Sequence, residues 1–339
     1  MTWLHPRLGH RWSSALSHPH HLHYFIVVAL LSLLGTTFFV GVVPVSASRG
    51  HFTAYTVPTP QSGSAAVTEG PDGALWFTEC FGHKIGRMTP NGHFTEYAVP
   101  GLDSCSYFGI TTGSDGALWF VDNETMIGRI TTGGQVTTYT VQAGGLLSIT
   151  SGPDGALWFT GGEKTIGRIT TSGDVTLYQL PPDTWPNDIT TGPDGAMWFT
   201  AGNSIGRITM SGKVKEFRMP EQYSYLEGIV AGPDHALWFT ESSQNVIGHV
   251  TTFGAISLYN LGGSQWSIQP IGIALGPDKA LWFTEYSRGA IGRITKNGRV
   301  STYAIPGTEN EPLGISAGPR ASMWFGNPGY NEIGRVTTQ

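Results

Sequence analysis

The chain has 339 residues, of which 13% are charged and 12% are aromatic, with 47 Gly and 11 Trp. This composition excludes a disordered chain, and Gly at about twice its usual ~7% is typical of short strands joined by tight turns. Arg7 and Arg11 are the only formally charged residues of 1–47, so 48–339 carries 17 basic and 24 acidic side chains, a net charge of −7. That balance excludes the basic surface of a nucleic-acid-binding protein.

The first 47 residues predict an export segment. An apolar run of 19 residues, 25–43, follows a basic start, and Val45 and Ala47 are the small residues expected before a cleavage site. The run is also nearly long enough to cross a bilayer as a helix, so an uncleaved membrane anchor is the alternative. In both cases Arg7 and Arg11 favour an internal N-terminus. We therefore expect 48–339 to be a monomeric, extracytoplasmic domain, secreted or anchored, that meets a membrane only through 1–47.

The motif GPDGALWFT, at 152–160, occurs in seven near-copies along the chain. Its tryptophan recurs every 39–44 residues, at Trp76, Trp119, Trp158, Trp198, Trp238, Trp282 and Trp324. That period is typical of four-stranded propeller blades. Each repeat reads as four strand-length segments bounded by Gly, Pro, Asp or Asn, and no segment has a helical period. The sequence predicts an all-β, seven-bladed β-propeller.

The two ends of the repeat array predict how the ring closes. The last repeat stops at 333–339 after three strands, and the segment HFTAYTVP at 51–58 resembles the absent fourth strand. Pairing between them closes the ring and protects its edge strands.

The repeated motif itself is expected to be scaffold. Trp and Phe alternate across the second strand, so we expect each to pack between neighbouring blades. The Arg of the IGR motif recurs at Arg87, Arg129, Arg168, Arg207, Arg293 and Arg335, with His249 in the fifth repeat. A residue used in nearly every blade is structural, and pairing with the carboxylates of the PDG turns is its expected role.

Function is expected where the repeats differ, at one mouth of the central channel. The loops between blades and the turns after the WFT strands meet at this face. The residues that begin the seven 15-residue blocks, here called leading residues, are Ala65, Phe108, Leu147, Asn187, Glu227, Ile271 and Leu313. Those that end the blocks, called trailing residues, are Glu79, Asp122, Gly161, Ala201, Glu241, Glu285 and Asn327.

Aromatic side chains are concentrated in the loops of this mouth: Tyr107, Phe108, Trp185, Tyr223, Tyr225, Trp266, Tyr286 and Tyr330. Together they predict a stacking surface for a ring-bearing small molecule, sugar or peptide. We predict that Trp185, Tyr225 and Trp266 line one depression with Asn187 and Glu227 as its polar groups. The predicted ligand-binding set adds Tyr107, Phe108, Asn327 and Tyr330. The trailing carboxylates Glu79, Asp122, Glu241 and Glu285 are either structural acceptors or a collar that attracts cations.

The two cysteines predict a disulfide. Cys80 follows the trailing residue of blade 1 and Cys105 lies in the loop that enters blade 2, so both are on the same face of adjacent blades. They are the only cysteines of a chain with an export segment, which favours pairing over free thiols or a metal pair.

Seven copies of the GPDGALWFT and IGRIT motifs, preceded by an orphan strand, resemble the virginiamycin B lyase (streptogramin lyase) family over 51–339. The resemblance implies elimination at the ester of a cyclic depsipeptide antibiotic. It implies that a His at a leading position acts as general base while Mg²⁺, held by carboxylates, polarises the neighbouring carbonyl.

The family motif P-H-G/A-I, which carries this His in the last two blades, reads PIGI at 270–273 and PLGI at 312–315. Ile271 and Leu313 can neither take a proton nor bind a metal. Glu311 matches a family carboxylate, whereas Asn327 stands where the family has another. If the chemistry has been rebuilt, Glu311 and Glu227 are the candidate catalytic residues, and Glu311 and Glu285 are the candidate Mg²⁺ ligands.

Three functions compete at this stage. The first is a propeller that binds a small or peptidic ligand at the mouth without eliminating it. The second is an enzyme, either a C–O lyase with a displaced base or a lactonase-like metal hydrolase. The third is a structural exported scaffold.

Overall fold

The computed structural model describes residues 50–102, 106, 108–122, 124–162, 164–220, 223, 225–307 and 311–337, and the backbone of three strands before residue 50. These residues form seven sheets, one for each Trp repeat, arranged as the blades of an all-β propeller. The predicted fold class, a seven-bladed β-propeller, is confirmed.

The strands before the first blade are β1 (Leu31–Leu33), β2 (Thr36–Val42), β3 (Val45–Ala47) and β4 (His51–Thr56). Blade 1 contains β5 (Ser64–Glu69), β6 (Leu75–Glu79), β7 (Lys84–Met88) and β8 (Phe94–Ala98). Blade 2 contains β9 (Ile110–Thr112), β10 (Leu118–Val121), β11 (Met126–Ile130) and β12 (Val136–Thr140). Blade 3 contains β13 (Ile149–Ser151), β14 (Leu157–Gly161), β15 (Thr165–Ile169) and β16 (Val175–Gln179).

Blade 4 contains β17 (Pro186–Thr191), β18 (Met197–Ala201), β19 (Ser204–Ile208) and β20 (Val214–Arg218). Blade 5 contains β21 (Leu226–Ala231), β22 (Ala236–Glu241), β23 (Val246–Thr251) and β24 (Ile256–Asn260). Blade 6 contains β25 (Pro270–Leu275), β26 (Leu281–Glu285), β27 (Ala290–Ile294) and β28 (Val300–Ala304). Blade 7 contains β29 (Ile315–Gly318), β30 (Ser322–Asn327) and β31 (Glu332–Thr337), with 3-10 turns at Pro319–Ala321 and Pro328–Tyr330.

The WF pair forms the core between blades, as predicted. Trp76 of blade 1 is fully buried in one cluster with Leu118 and Phe120 of blade 2. The same arrangement joins Trp324 of blade 7 to the blade 1 cluster. Within each blade, the Phe ring lies over the Gly of the IGR motif. In blade 1, for example, a Cβ added at Gly86 would lie 2.1 Å from the Phe77 ring. The close approach explains why that position is Gly.

The IGR arginine is structural, as predicted. The Asp72 carboxylate accepts 3.0 Å and 2.7 Å hydrogen bonds from the Trp76 indole and the Arg87 Nε. These two bonds join the turn to the second and third strands of the blade. The same pair of bonds occurs in blades 2, 3, 4 and 6, where the acceptors are Asp115, Asp154, Asp194 and Asp278. In blade 5 His249 takes the place of Arg. In blade 7 the Trp324 indole donates instead to the Pro319 carbonyl.

The described strands before blade 1 do not show the predicted N-terminal helix. Strand β4 pairs with β31, Thr56 opposite Glu332, and is the fourth strand of blade 7. Strands β2 and β3 pair in parallel with β24 and β28, the outer strands of blades 5 and 6. The described part of 31–47 is therefore extended, because outer strand edges satisfy its backbone groups. No helix in the described part of the chain is long and apolar enough to span a membrane.

Candidate ligand-binding face

The leading and trailing residues lie beside each other at one face, here called the mouth. The register between the first and second strands of a blade brings these positions together. In four blades, the trailing residue pairs with the residue that immediately precedes the leading residue, as Glu241 pairs with Leu226. The first strands of all seven blades surround a central cavity of about 200 Å³ below the mouth. Phe108, a predicted ligand-binding residue, lines this cavity with Ser148 and Asp188.

One sector of the mouth, formed by blades 6, 7 and 1, is apolar. Ala65, Cys80 and Leu313 are buried in a single cluster, and the partly buried Ile271 and Tyr286 pack against it. Two of these residues, Ile271 and Leu313, are the leading residues of blades 6 and 7. Leu313 is 6% exposed and Ile271 is partly buried, so both leading positions present hydrocarbon to this sector.

Threonines of the WFT strands hold the leading residues in place. The Thr160 hydroxyl accepts a 3.0 Å hydrogen bond from the Ser148 N–H of its own blade and donates a 2.8 Å bond to the Asn187 carbonyl of the next blade. Thr200, Thr240 and Thr284 make the same pair of bonds, to the carbonyls of Glu227, Ile271 and Leu313. The recurring Thr after WF was a visible signal of this role that the sequence analysis missed.

Three of the four trailing carboxylates are structural acceptors within their own blades. Asp122 accepts from the N–H groups of Glu124 and Met126 in the turn that follows it. Glu241 accepts 2.6 Å and 2.7 Å bonds from the Ser243 hydroxyl and the Gln244 N–H. These contacts favour the structural alternative over a cation collar.

Glu79, the fourth trailing carboxylate, is different. Its side chain is fully buried, and neither carboxylate oxygen has a hydrogen-bond partner. Burial, with the neighbouring Glu96 carboxylate, raises its pKa to about 8. Glu96 in turn accepts bonds from Thr59 and Lys84. Glu79 therefore carries a proton at neutral pH.

The second sector of the mouth, formed by blades 4 and 5, is polar. The Asn187 amide donates a 2.7 Å hydrogen bond to the Glu227 carboxylate, which also accepts a 3.2 Å bond from the Ser242 hydroxyl. Asp188, 8% exposed, accepts from the Ser148 hydroxyl at 2.6 Å and from the Ile229 N–H at 2.8 Å, and so joins blades 3, 4 and 5. Burial raises the pKa of Glu227, and raises that of Asp188 to about 6.

Aromatic rings cover the rim of this polar sector. Tyr225 and Trp266 pack edge to face with their centroids 4.8 Å apart, and Trp185 holds Lys164 over its ring at 4.9 Å. The exposed fractions of Trp185, Tyr225 and Trp266 are 56%, 52% and 39%. The contacts join Tyr225 to Trp266, but none links Trp185 to that pair.

The remaining aromatic residues predicted at the mouth differ in exposure. Tyr330 is exposed on the mouth side of blade 7, and Phe81, which was not predicted from the sequence, is exposed on the mouth side of blade 1. The prediction that Tyr223 belongs to the stacking surface is wrong, because its ring is buried in the core between blades 4 and 5. Tyr107 lies outside the described residues. Cys105 does too, so its pairing with the buried Cys80 stays a prediction.

Asparagines at positive φ clamp two of the loops that form the mouth. The Asn331 side chain accepts from the Ser62 N–H and donates to the carbonyls of Val57 and Thr59. Asn245, at the matching place in blade 5, accepts from the Ile268 N–H and so fixes the loop that carries Trp266. Neither residue was identified from the sequence, because the loops vary in length and composition.

The candidate Mg²⁺ ligands do not fit a metal site. The two Glu285 oxygens accept from the Thr302 hydroxyl and the Arg288 guanidinium, each at 3.0 Å. Asn327 accepts from the N–H of Glu311, whose side chain is exposed. The Arg288 guanidinium already neutralises the Glu285 carboxylate, which disfavours binding of a metal cation there. No group of three or more His, Cys, Asp or Glu that could hold a metal occurs among the residues that the structure describes.

The family model of the virginiamycin B lyases matches residues 33–160 and 125–339. The chain belongs to the virginiamycin B lyase family. A streptogramin B lyase structure is 34% identical, with a TM-score of 0.79, and the match covers 86% of this chain and 98% of that one.

A catalytically inactive histidine-to-alanine variant of virginiamycin B lyase from Staphylococcus aureus, solved with quinupristin, is 35% identical. That match has a TM-score of 0.79 and covers 86% of this chain and all of the other. Virginiamycin B lyase of Bordetella parapertussis is 40% identical over 53 residues, a segment that makes up 16% of this chain and 18% of that relative.

Proposed function

We propose that this member of the virginiamycin B lyase family binds a small or peptidic ligand at the mouth and does not carry out the family's elimination. The observation that carries the proposal is the division of the mouth into an apolar sector at Ile271 and Leu313 and a polar, aromatic sector around Glu227. Ligand pockets are typically apolar with a few well-placed polar groups.

The two leading positions of blades 6 and 7 lack the base that elimination requires. Removing the proton beside the ester carbonyl requires a base within hydrogen-bond reach of the substrate carbon. In the Staphylococcus aureus relative, a variant that lacks one histidine is catalytically inactive. Here Ile271 and Leu313 stand at both histidine positions of the family motif. Among the described residues, His83 lies on the mouth side, but its ring contacts the Leu102 carbonyl and it belongs to blade 1.

The exposed aromatic rings of the mouth support ligand binding. Five of the six largely exposed aromatic side chains in the described chain lie on the mouth: Phe81, Trp185, Tyr225, Trp266 and Tyr330. Phe253 is the exception, in the hairpin between β23 and β24 on the opposite face. Exposed rings gathered on one face favour stacking with a ligand over covering of the core.

A displaced base is the second candidate, and Glu227 favours it. A half-buried carboxylate with a raised pKa beside an open mouth is the usual setting of a general base. In that case the chain would open a streptogramin B ring, and Glu227→Gln would abolish the reaction.

Isothermal titration of the full-length chain with quinupristin tests binding. We expect saturable binding that Trp266→Ala and Tyr225→Ala each weaken, because each removes one ring of the edge-to-face pair. Phe253→Ala, on the opposite face, is the matched control and should bind unchanged. Absence of binding to quinupristin and to simpler aromatic ligands would contradict the proposal.

We also propose that residues 1–47 direct export, that pairing of β4 with β31 closes the ring, and that the exported domain is a monomer. Fractionation of cells that express the full chain, followed by N-terminal sequencing of the product, tests export. A product cut after Ala47 in the extracytoplasmic fraction supports cleavage, and an intact product in the membrane fraction supports anchoring.

A further inference from the structure

We infer that the ligand of the mouth carries a positive charge, as a primary or secondary amine on an aromatic or apolar body. The inference rests on the proposed function and names the chemical class of its ligand. It is drawn from the carboxylates at the polar sector, from the cavity below them and from the aromatic rim above.

The two carboxylates of this sector belong to adjacent blades. Glu227 is the leading residue of blade 5, and Asp188 follows the leading residue of blade 4. The Asp188 carboxylate accepts from the Ile229 N–H, two residues beyond Glu227. Asp188 is also the one charged residue among those that line the central cavity. Negative charge is therefore presented at the mouth and at the wall of the cavity beneath it.

No cation of the described chain neutralises this pair. Every ion pair among the described residues uses other carboxylates. The donors to Asp188 and Glu227 are hydroxyl, amide and backbone N–H groups, which are neutral. By contrast, the buried Glu285 is paired with Arg288. Buried charge without a counter-charge is costly, and a ligand cation would remove that cost.

The rim above the pair suits a cation on an aromatic body. The Ser242 hydroxyl contacts both the Tyr225 carbonyl and the Glu227 carboxylate, which ties the ring-bearing loop to the acid. The backbone N–H of Trp266 donates to the Ser243 carbonyl, so the loop that carries the second ring is fixed to the same hairpin. Aromatic faces attract ammonium groups, and carboxylates bind them through charge-assisted hydrogen bonds.

The test compares tryptamine with tryptophol, which has the same indole body and a hydroxyl in place of the ammonium. Calorimetric titration uses the full-length chain at neutral pH. We expect tryptamine to bind about 10-fold or more tightly than tryptophol. Glu227→Gln keeps the shape of the side chain and should bring the two affinities together. Glu241→Gln, a buried carboxylate of the same blade that serves its own hairpin, should keep the preference.

Asp188→Asn is the second variant, and thermal unfolding first checks that it folds, because Asp188 joins three blades. The comparison of tryptamine with tryptophol in the unaltered chain does not depend on whether either variant folds. Equal affinity for tryptamine and tryptophol overturns the inference and leaves the proposed binding function intact. Failure to bind either one, with quinupristin still bound, also overturns the inference alone. Failure to bind all three overturns the proposed function as well.

Discussion

The Thr200 hydroxyl donates a 2.6 Å hydrogen bond to the Glu227 carbonyl across the boundary between blades 4 and 5. The same hydroxyl accepts a 3.0 Å bond from the Asp188 N–H. One scaffold side chain thus fixes the backbone of both carboxylates in the polar sector. Thr200 therefore belongs both to the contact that recurs among the blades and to the polar sector of the mouth.

Thr200→Val should destabilise the protein by about 1–3 kcal/mol, because two backbone groups lose a buried partner without a change of side-chain shape. Thr200→Ser keeps the hydroxyl and should recover most of that loss. Denaturant titration measures both variants. A Val variant as stable as the Ser variant would show that the hydroxyl does not hold the two blades together.

Asp154→Ala should cost about 1–3 kcal/mol, because the Trp158 indole and the Arg168 guanidinium lose their acceptor. Despite some burial, hydrogen bonds from both partners lower the pKa of Asp154 below its ordinary 3.8. Its stabilisation is therefore present above that pH and is lost as the pH falls through the lowered value. Thermal unfolding at neutral and acid pH measures both effects, with the exposed Glu124→Ala as control. Equal losses in the two variants would contradict the assigned role.

Glu79→Gln should stabilise the protein, and it should do so more at pH 8 than at pH 5. Burial and the Glu96 carboxylate raise the pKa of Glu79 from 4.5 to about 8, so between these values the unfolded chain releases the proton and the folded chain keeps it. Stability therefore falls as the pH rises across this window. Denaturant titration from pH 4.5 to pH 8 should give a smaller fall for Glu79→Gln than for the exposed Glu69→Gln. An identical pH dependence in the two variants would rule out a buried, proton-carrying Glu79.

Cys80 and Cys105 should be joined in the exported protein. Peptide mapping without reductant should give one linked peptide that dithiothreitol separates, and reduction should lower stability by about 3 kcal/mol for a loop of this size. Alkylation of both thiols in the folded, unreduced protein would contradict the pairing.

Much of the scaffold could be predicted because it recurs. A Trp at the same place in every repeat, with an Asp before it in six repeats and an Arg after it in six, has one consistent explanation in a propeller. The predicted contact between the Arg and the turn carboxylate was found in blades 1, 2, 3, 4 and 6. The clamps at Asn245 and Asn331 occur in loops of unequal length, where no repeat signal exists. Tyr223 and Tyr225 lie two residues apart in one loop, yet one ring is buried and the other exposed. Spacing alone does not distinguish them, because the path of the loop decides which ring turns inward.

The N-terminal segment shows a different limit. An apolar run rich in Val, Leu and Phe is compatible with both a membrane helix and a strand. The choice depends on whether a bilayer surrounds the segment or a strand edge pairs with its backbone. Sequence alone carries no information about that partner.

The central claim, binding without elimination, is tested most directly by mass spectrometry of a type B streptogramin incubated with the full-length chain and Mg²⁺. Virginiamycin B lyase of Staphylococcus aureus serves as the positive control under identical conditions. Loss of a positioned base alone lowers rates by ~10²–10⁴, so we expect the antibiotic to remain cyclic when the control has linearised it. Linearisation by this chain at a rate comparable to the control would contradict the claim.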